Sequence, residues 1–190
     1  MVEIDYAAVV VKFDTILSRG LSMGLGDRSG QMCIEAALCA ALDLPHGDDP
    51  GCVAEAVRSF KICLNDLNWS SSHARANGLR DLGIAQIGSK GVIDDVKFAQ
   101  LLVERTIRVL IPRLFREIFQ AYPDCLEAAD RCEREGGQEA ARDAERAARR
   151  AAGRAAGRAA EAAGDEYLTL SAKLALEVLR EMKSPGYAWI

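Results

Sequence analysis

The sequence has few of the features that mark membrane, secreted or β-rich proteins. Hydrophobic residues make up 49% of the chain, but no apolar run approaches the ~18 residues that a membrane-spanning helix needs. The first residues, MVEIDYAAVVVKF, contain acids where a secretory leader would have lysines, so we expect no signal peptide and a cytoplasmic location. No apolar–polar alternation of strand length occurs either. These absences favour an all-α protein with no membrane contact.

Acidic side chains outnumber basic ones, and histidines are scarce. The chain has 24 lysines and arginines against 28 acidic residues, which gives a net charge of -4. Because nucleic-acid affinity depends largely on neutralising phosphates, this balance argues against a nucleic-acid partner. With 2 histidines in the whole chain, few catalytic pairs with cysteine are possible.

The 6 cysteines do not have the spacing of a metal site. Structural zinc sites pair their ligands two to four residues apart. At least five residues separate the successive members of the set Cys33, Cys39, His46 and Cys52. Apolar neighbours indicate reduced thiols buried in a core. We therefore predict no metal and no cofactor.

Apolar residues recur at three- and four-residue intervals through nearly the whole chain, which is the spacing of one helical face. We predict an all-α bundle of seven or eight helices, one of them long and rich in alanine. Asp49, followed by proline, is expected to cap one helix start, and the three serines at 70–72 are able to cap another. Pro112 is expected to kink the helix that contains it. The expected helices cover about 3–19, 31–42, 50–67, 71–82, 94–121, 123–135, 138–163 and 165–183.

We divide the chain into a helical core (1–135), an alanine- and arginine-rich helix (136–164) and a C-terminal helix that packs back on the core (165–190), as one domain overall. The core is expected to include the apolar residues that share the inward helical faces. They are Phe13, Leu17, Leu38, Leu42, Val57, Phe60, Leu64, Ile107, Leu110, Leu114, Leu174 and Val178.

The segment QEAARDAERAARRAAGRAAGRAAEAA, residues 138–163, is the most unusual part of the sequence. Alanine and arginine are strong helix formers, so it predicts a helix of roughly 26 residues and ~40 Å. A four-residue repeat overshoots the 3.6-residue turn, so we expect the alanine stripe to wind around the helix. Three roles remain open: a spacer, a docking surface for an acidic partner or RNA, and a homo-oligomer interface. The docking residues would be Arg146, Arg149, Arg150, Arg154 and Arg158.

A second candidate site begins at Cys33, at the predicted start of a helix after the glycine-rich stretch GLGDRSGQM. Free amides and the helix dipole stabilise a thiolate there, and a catalytic cysteine also needs a histidine as its base. That base would be His46 or His73. The arrangement resembles papain-like and transglutaminase-like enzymes, whose histidine comes from a β-sheet that this sequence does not predict. The alternative is a buried, structural Cys33.

The same glycine-rich stretch could bind an anion or a nucleotide through its backbone amides. It lacks the GK[ST] ending and the preceding strand of a P-loop. The residues of this candidate site are Gly24, Gly26, Arg28, Ser29 and Gly30.

The second half of the chain, with EAARDAERAARRAAGRAAGRAAEAAGDEY before a leucine-rich helix, resembles the alanine-rich helical proteins proposed as immunity factors in bacterial polymorphic-toxin systems. That resemblance implies a small acidic cytosolic protein that neutralises a toxin by binding it. Our leading hypothesis is therefore a non-enzymatic protein-binding module that acts by occlusion. A cysteine-dependent hydrolase or transferase and an anion or nucleotide sensor are the alternatives.

Overall fold

The computed structural model describes residues 4–162 and 164–190, and the side chains of this part except those of residues 152–162. Within it the regular structure is helical, apart from one isolated antiparallel bridge between Gly26 and Met32. The predicted all-α fold is confirmed. The α-helices are α1 (Tyr6–Leu17), α2 (Ile34–Ala41), α3 (Glu55–Asn65), α4 (Ser72–Ala85), α5 (Asp95–Arg105), α6 (Ile111–Ile118), α7 (Pro123–Glu135), α8 (Gln138–Ala162) and α9 (Asp165–Glu181).

A π-helical turn, Thr106–Leu110, joins α5 to α6 in one continuous rod, so the described chain contains eight helices in agreement with the predicted bundle. The turn also accommodates Pro112. Because α6 begins at Ile111, the proline occupies the first turn of a new α-helical segment, where a missing N–H costs no hydrogen bond. The expected kink therefore takes the form of a widened turn just before the proline.

The helix starts show where local sequence decides the structure. Ser71 caps α4 as predicted, since its hydroxyl accepts the N–H of Ala74 at 3.0 Å. The predicted start at Asp49 is wrong, because α3 begins at Glu55. The Asp49 carboxylate accepts instead the N–H of Gly51 at 2.9 Å, and the left-handed backbone of Gly51 (φ 68°) turns the chain away from a helix.

The molecule has two hydrophobic cores. The larger is built by α1–α5 and α9, and Phe13, Leu38, Leu79 and Leu179 are fully buried in it. The second lies where α6, α7 and the first half of α8 meet, around Phe115. Four of the predicted core residues, Leu42, Phe60, Leu110 and Leu114, are only half-buried at the margins of these cores.

The alanines of α8 keep one face over the described side chains, and the four-residue repeat for which winding is expected lies mostly beyond them, after Ala151. Ala140, Ala144, Ala147 and Ala151 are all buried in the second core. Their spacings of four, three and four average close to the 3.6 residues of a helical turn, so the stripe stays aligned with α7. The first half of α8 is therefore part of a core.

Candidate functional site

Three polar side chains meet inside the larger core. Lys61 Nζ of α3 lies 3.1 Å from Glu35 Oε1 of α2. Gln86, the C-cap residue of α4, donates from Nε2 to Glu35 Oε2 at 3.1 Å. All three residues are 0% exposed. We call Glu35, Lys61 and Gln86 the buried triad.

The buried triad is electrostatically costly. Desolvation raises the pKa of Glu35 and lowers the pKa of Lys61, and their mutual attraction opposes each change. Glu35 Oε1, Lys61 Nζ and Gln86 Oε1 also lack a hydrogen-bond partner of good geometry. Burying charged groups without full hydrogen bonding is unfavourable, so the triad needs an explanation beyond packing.

Sequence reasoning missed the triad because polar residues were assigned to outward helical faces. The signal was present in α3. Val57, Lys61 and Leu64 are spaced by four and three residues, and all three are buried. A lysine at the centre of that stripe moves Phe60 about 100° away from the inward direction, which explains why Phe60 is half-buried.

Cys33 is the N-cap residue of α2, close to the triad. Its Sγ accepts the N–H of Ala36 at 3.3 Å, and the residue is 6% exposed. Burial raises the pKa of the thiol, although hydrogen bonds from the amides of Ala36 and Glu35 oppose the rise. The residue borders a cavity of about 90 Å³ that Asn65 and Asp66 also line. A buried thiol of raised pKa stays protonated near neutral pH.

The two histidines do not reach this thiol in the described contacts. His46 is exposed and its Nε2 lies 3.2 Å from the carbonyl oxygen of Gly26. His73 lies beside Ser72 at the start of α4, with 3.4 Å between Nδ1 and Oγ. Gln31, a possible oxyanion donor, donates from Nε2 to the carbonyl oxygen of Arg19 at 2.7 Å. Among the residues that the structure describes, no hydrogen bond joins Cys33 to His46, His73 or Gln31.

The glycine-rich stretch is filled by the protein's own carboxylates. The N–H of Gly24 donates to Asp66 Oδ1 at 2.8 Å, and that of Ser29 donates to Asp27 Oδ1 at 2.7 Å. The hydrogen bonds from Ser29 lower the pKa of Asp27. Gly30 donates to the carbonyl oxygen of Asp27. Because a carboxylate oxygen accepts the amides of Gly24 and Ser29, and a carbonyl oxygen accepts that of Gly30, the predicted anion site is not open at these three residues.

The other two residues of that predicted site give it no further support. Gly26 has φ 70°, and a Cβ there would lie 2.3 Å from the carbonyl oxygen of Gln31. It is therefore a glycine that lets two segments of one loop approach each other. Arg28 is exposed on the same loop.

A group of exposed arginines lies on α8. The side chains of Arg146, Arg149 and Arg150 are 59%, 78% and 65% exposed. Arg142 is exposed at the same helical register, four residues before Arg146. We call Arg142, Arg146, Arg149 and Arg150 the arginine row. Arg154 and Arg158 lie outside the described side chains.

Each of the three predicted arginines has an acidic neighbour. Arg146 pairs with Asp143, and Arg149 Nη2 lies 2.6 Å from Glu145 Oε1. Arg150 Nη2 lies 3.9 Å from Asp124 Oδ2 on α7. Arg146 and Arg150 also line a groove of about 280 Å³ between α7 and α8. The row therefore presents cations in an open groove of mixed charge.

An apolar cleft of about 570 Å³ lies near the N-terminus of α1, and its lining includes Leu42, Leu44, Pro50, Cys52 and Lys90. Cys52 is half-buried there, and burial raises the pKa of its thiol. A reagent in this cleft meets Cys52 more readily than it meets Cys33.

In the described part of the chain, no group of three or more potential metal ligands lies close enough together to hold an ion. No described helix combines the length and the apolar character needed to cross a bilayer. Comparisons with protein-family models, curated proteins and solved structures find no match for this chain.

Proposed function

We propose that this chain is a non-enzymatic protein-binding module, of the inhibitor or immunity type, whose arginine row docks on an acidic surface of a partner protein. One observation carries the proposal. The alanines of α8 are buried on one side of the helix, while Arg146, Arg149 and Arg150 are more than half exposed, with Arg146 and Arg150 at the groove beside α7. The helix thus holds a row of cations outward.

The arginine row is held rigidly. Arg131 of α7 forms ion pairs with Glu139 and Asp143 at the start of α8. Together with the buried alanines, these pairs fix α8 against α7. A preorganised surface loses less entropy when a partner binds, which favours recognition by a fixed helix face.

The acidic neighbours of the row do not prevent docking. Arg149 and Glu145 are both more than half exposed, and so are Arg150 and Asp124. Exposed ion pairs contribute little because water screens them. A partner carboxylate that excludes this water can replace the internal acid, and the planar guanidinium can bind it with two hydrogen bonds.

The experiment compares three forms of the chain as affinity baits in a native extract of the organism that encodes it. The test variant combines Arg146→Glu, Arg149→Glu and Arg150→Glu. The matched control combines Lys97→Glu, Lys173→Glu and Arg180→Glu, which are exposed elsewhere and give the same change in net charge. We expect the wild type and the control to retain a common protein that the test variant loses. Equal capture by all three forms, or no specific capture, contradicts the proposal.

Binding to an identified partner then gives the magnitude. Replacing the three arginines by glutamates should raise the dissociation constant by about 100-fold, which corresponds to ~2.7 kcal/mol of binding free energy. The control triple variant should change it by less than about fivefold at physiological salt, because charges outside the interface act only through the screened long-range field.

A further inference from the structure

The buried triad places a lysine amine and a side-chain amide on the two oxygens of one carboxyl group, away from solvent. One carboxyl group bridges the other two members, since Lys61 Nζ lies 3.1 Å from Glu35 Oε1 and Gln86 Nε2 lies 3.1 Å from Glu35 Oε2. Each of the three residues is 0% exposed. The amine and the amide thus contact different oxygens of the Glu35 carboxyl group, which can carry a proton from one to the other.

The protonation states expected in this core suit a reaction between them. Desolvation lowers the pKa of Lys61 and raises the pKa of Glu35, so moving one proton from the ammonium to the carboxylate removes two buried charges. The result is a neutral amine, which is a nucleophile, and a carboxylic acid, which can donate and accept protons.

We propose that Lys61 and Gln86 react to form an intramolecular isopeptide bond across the Glu35 carboxyl group. The bond would link α3 to the end of α4. It would be a covalent modification that the chain makes on itself, without a cofactor or an oxidant.

The reaction begins when the lone pair of Lys61 Nζ attacks Gln86 Cδ and a C–N bond forms. Glu35 takes a proton from Nζ through one oxygen and gives a proton to Gln86 Nε2 through the other. The Cδ–Nε2 bond then breaks, and Nε2 leaves as ammonia. The product is a secondary amide between the two side chains, and Glu35 is again a neutral acid.

Two physical effects favour the product. Packing fixes the amine and the amide on the same carboxyl group, which removes much of the entropic cost of bringing two separate reactants together. The product also pairs the atoms that now lack partners: the new N–H can donate to Glu35 Oε1, and the Glu35 O–H can donate to the Gln86 carbonyl oxygen. Ammonia that escapes to solvent does not return at a useful concentration.

The test is the intact mass of the purified full chain, measured after denaturation. We expect a mass below that of the sequence by one ammonia molecule, and a peptide map in which the segment containing Lys61 is joined to the segment containing Gln86. Lys61→Met, Gln86→Leu and Glu35→Gln should each show the full mass of their own sequence. Lys61→Met and Gln86→Leu each lack a reacting group, so their mass counts whether or not they fold, whereas the mass of Glu35→Gln counts only for the folded variant.

Two controls separate this bond from other losses of mass. Lys97→Met removes an exposed lysine and should keep the deficit. Asn77→Ser removes the Asn77–Gly78 pair, which can itself lose ammonia by forming a cyclic imide, and should also keep the deficit. A folded wild type that retains its full mass after prolonged incubation at 37 °C overturns the proposal. Loss of water instead of ammonia, or a deficit that maps to Asn77, overturns it equally.

Discussion

Lys61 lies wholly inside the protein, with its Nζ 3.1 Å from Glu35 Oε1. Removing Lys61 leaves Glu35 Oε1 buried without its neighbouring amine, and an unsatisfied buried polar group costs about 1–3 kcal/mol. We expect Lys61→Met to lower the free energy of unfolding by that amount in urea titrations, whereas Lys97→Met, at an exposed position, should change it by less than about 0.5 kcal/mol. If the two variants are equally stable, Lys61 is not buried as the structure shows.

The cysteines should react in an order set by their accessibility. Cys63 is exposed, Cys52 is half-buried and Cys33 is buried. Because the reagent must reach the sulfur and the thiolate is the reactive form, we expect iodoacetamide to label Cys63 first and Cys52 next, with Cys33 as slow as the other buried cysteines in the native state. Peptide mapping after timed labelling measures the order.

The outcome at Cys33 also bears on the enzyme alternative. Cys33→Ser keeps an N-cap side chain at the start of α2, so we expect only mild destabilisation. Selective, fast labelling of Cys33 near neutral pH would contradict a buried thiol and would favour catalysis.

Stability should fall at alkaline pH, partly because of Cys39. Burial raises the pKa of this thiol to about 11, above the ~8.5 of a thiol in the unfolded chain. The unfolded chain therefore releases its proton first as the pH rises. The contribution of Cys39 to stability is complete below pH ~8.5 and is lost as the pH rises towards 11. Urea titrations between pH 8 and pH 10.5 should show a shallower decline for Cys39→Ala than for the wild type. The matched variant Cys63→Ala, at an exposed cysteine, should decline as the wild type does.

Gly83 allows α4 to pack closely on α1. An added Cβ there would lie 2.7 Å from Phe13 Cζ, and Phe13 is fully buried. Overpacking of this kind costs about 1–3 kcal/mol, more than the ~1 kcal/mol that alanine gains over glycine inside a helix. We expect Gly83→Ala to lower the melting temperature. Gly47→Ala, where a Cβ meets no atom within 4 Å, should leave it almost unchanged.

Periodicity and capping were enough to predict the helical architecture. Asp94 and Ser71 cap α5 and α4 through their own side chains, and such local interactions can be read from sequence. The start of α3 could not be read from the sequence, because Asp49 and Gly51 form a turn where Asp49 followed by proline is also typical of a helix start. The alignment of the buried alanines of α8 with α7 was not predicted, because the sequence argument rested on the regular repeat after Ala147 and not on the part of the helix that packs on α7.

The candidate sites were harder to predict for a different reason. Cys33 and the glycine-rich stretch looked reactive because their amides were assumed to be free. In the structure, distant residues use those amides, as Asp66 does at Gly24. The buried triad joins residues from α2, α3 and the end of α4, and no local pattern in the sequence indicates that such residues meet.

The central claim is that a partner docks on the arginine row, and hydrogen–deuterium exchange of the chain alone and in complex with the captured partner tests it most directly. We predict that binding slows amide exchange in α8 and α7 and leaves exchange unchanged in the loop of residues 21–33 and in the apolar cleft around Cys52. Protection confined to that loop or that cleft, with α8 exchanging as in the free chain, would contradict it.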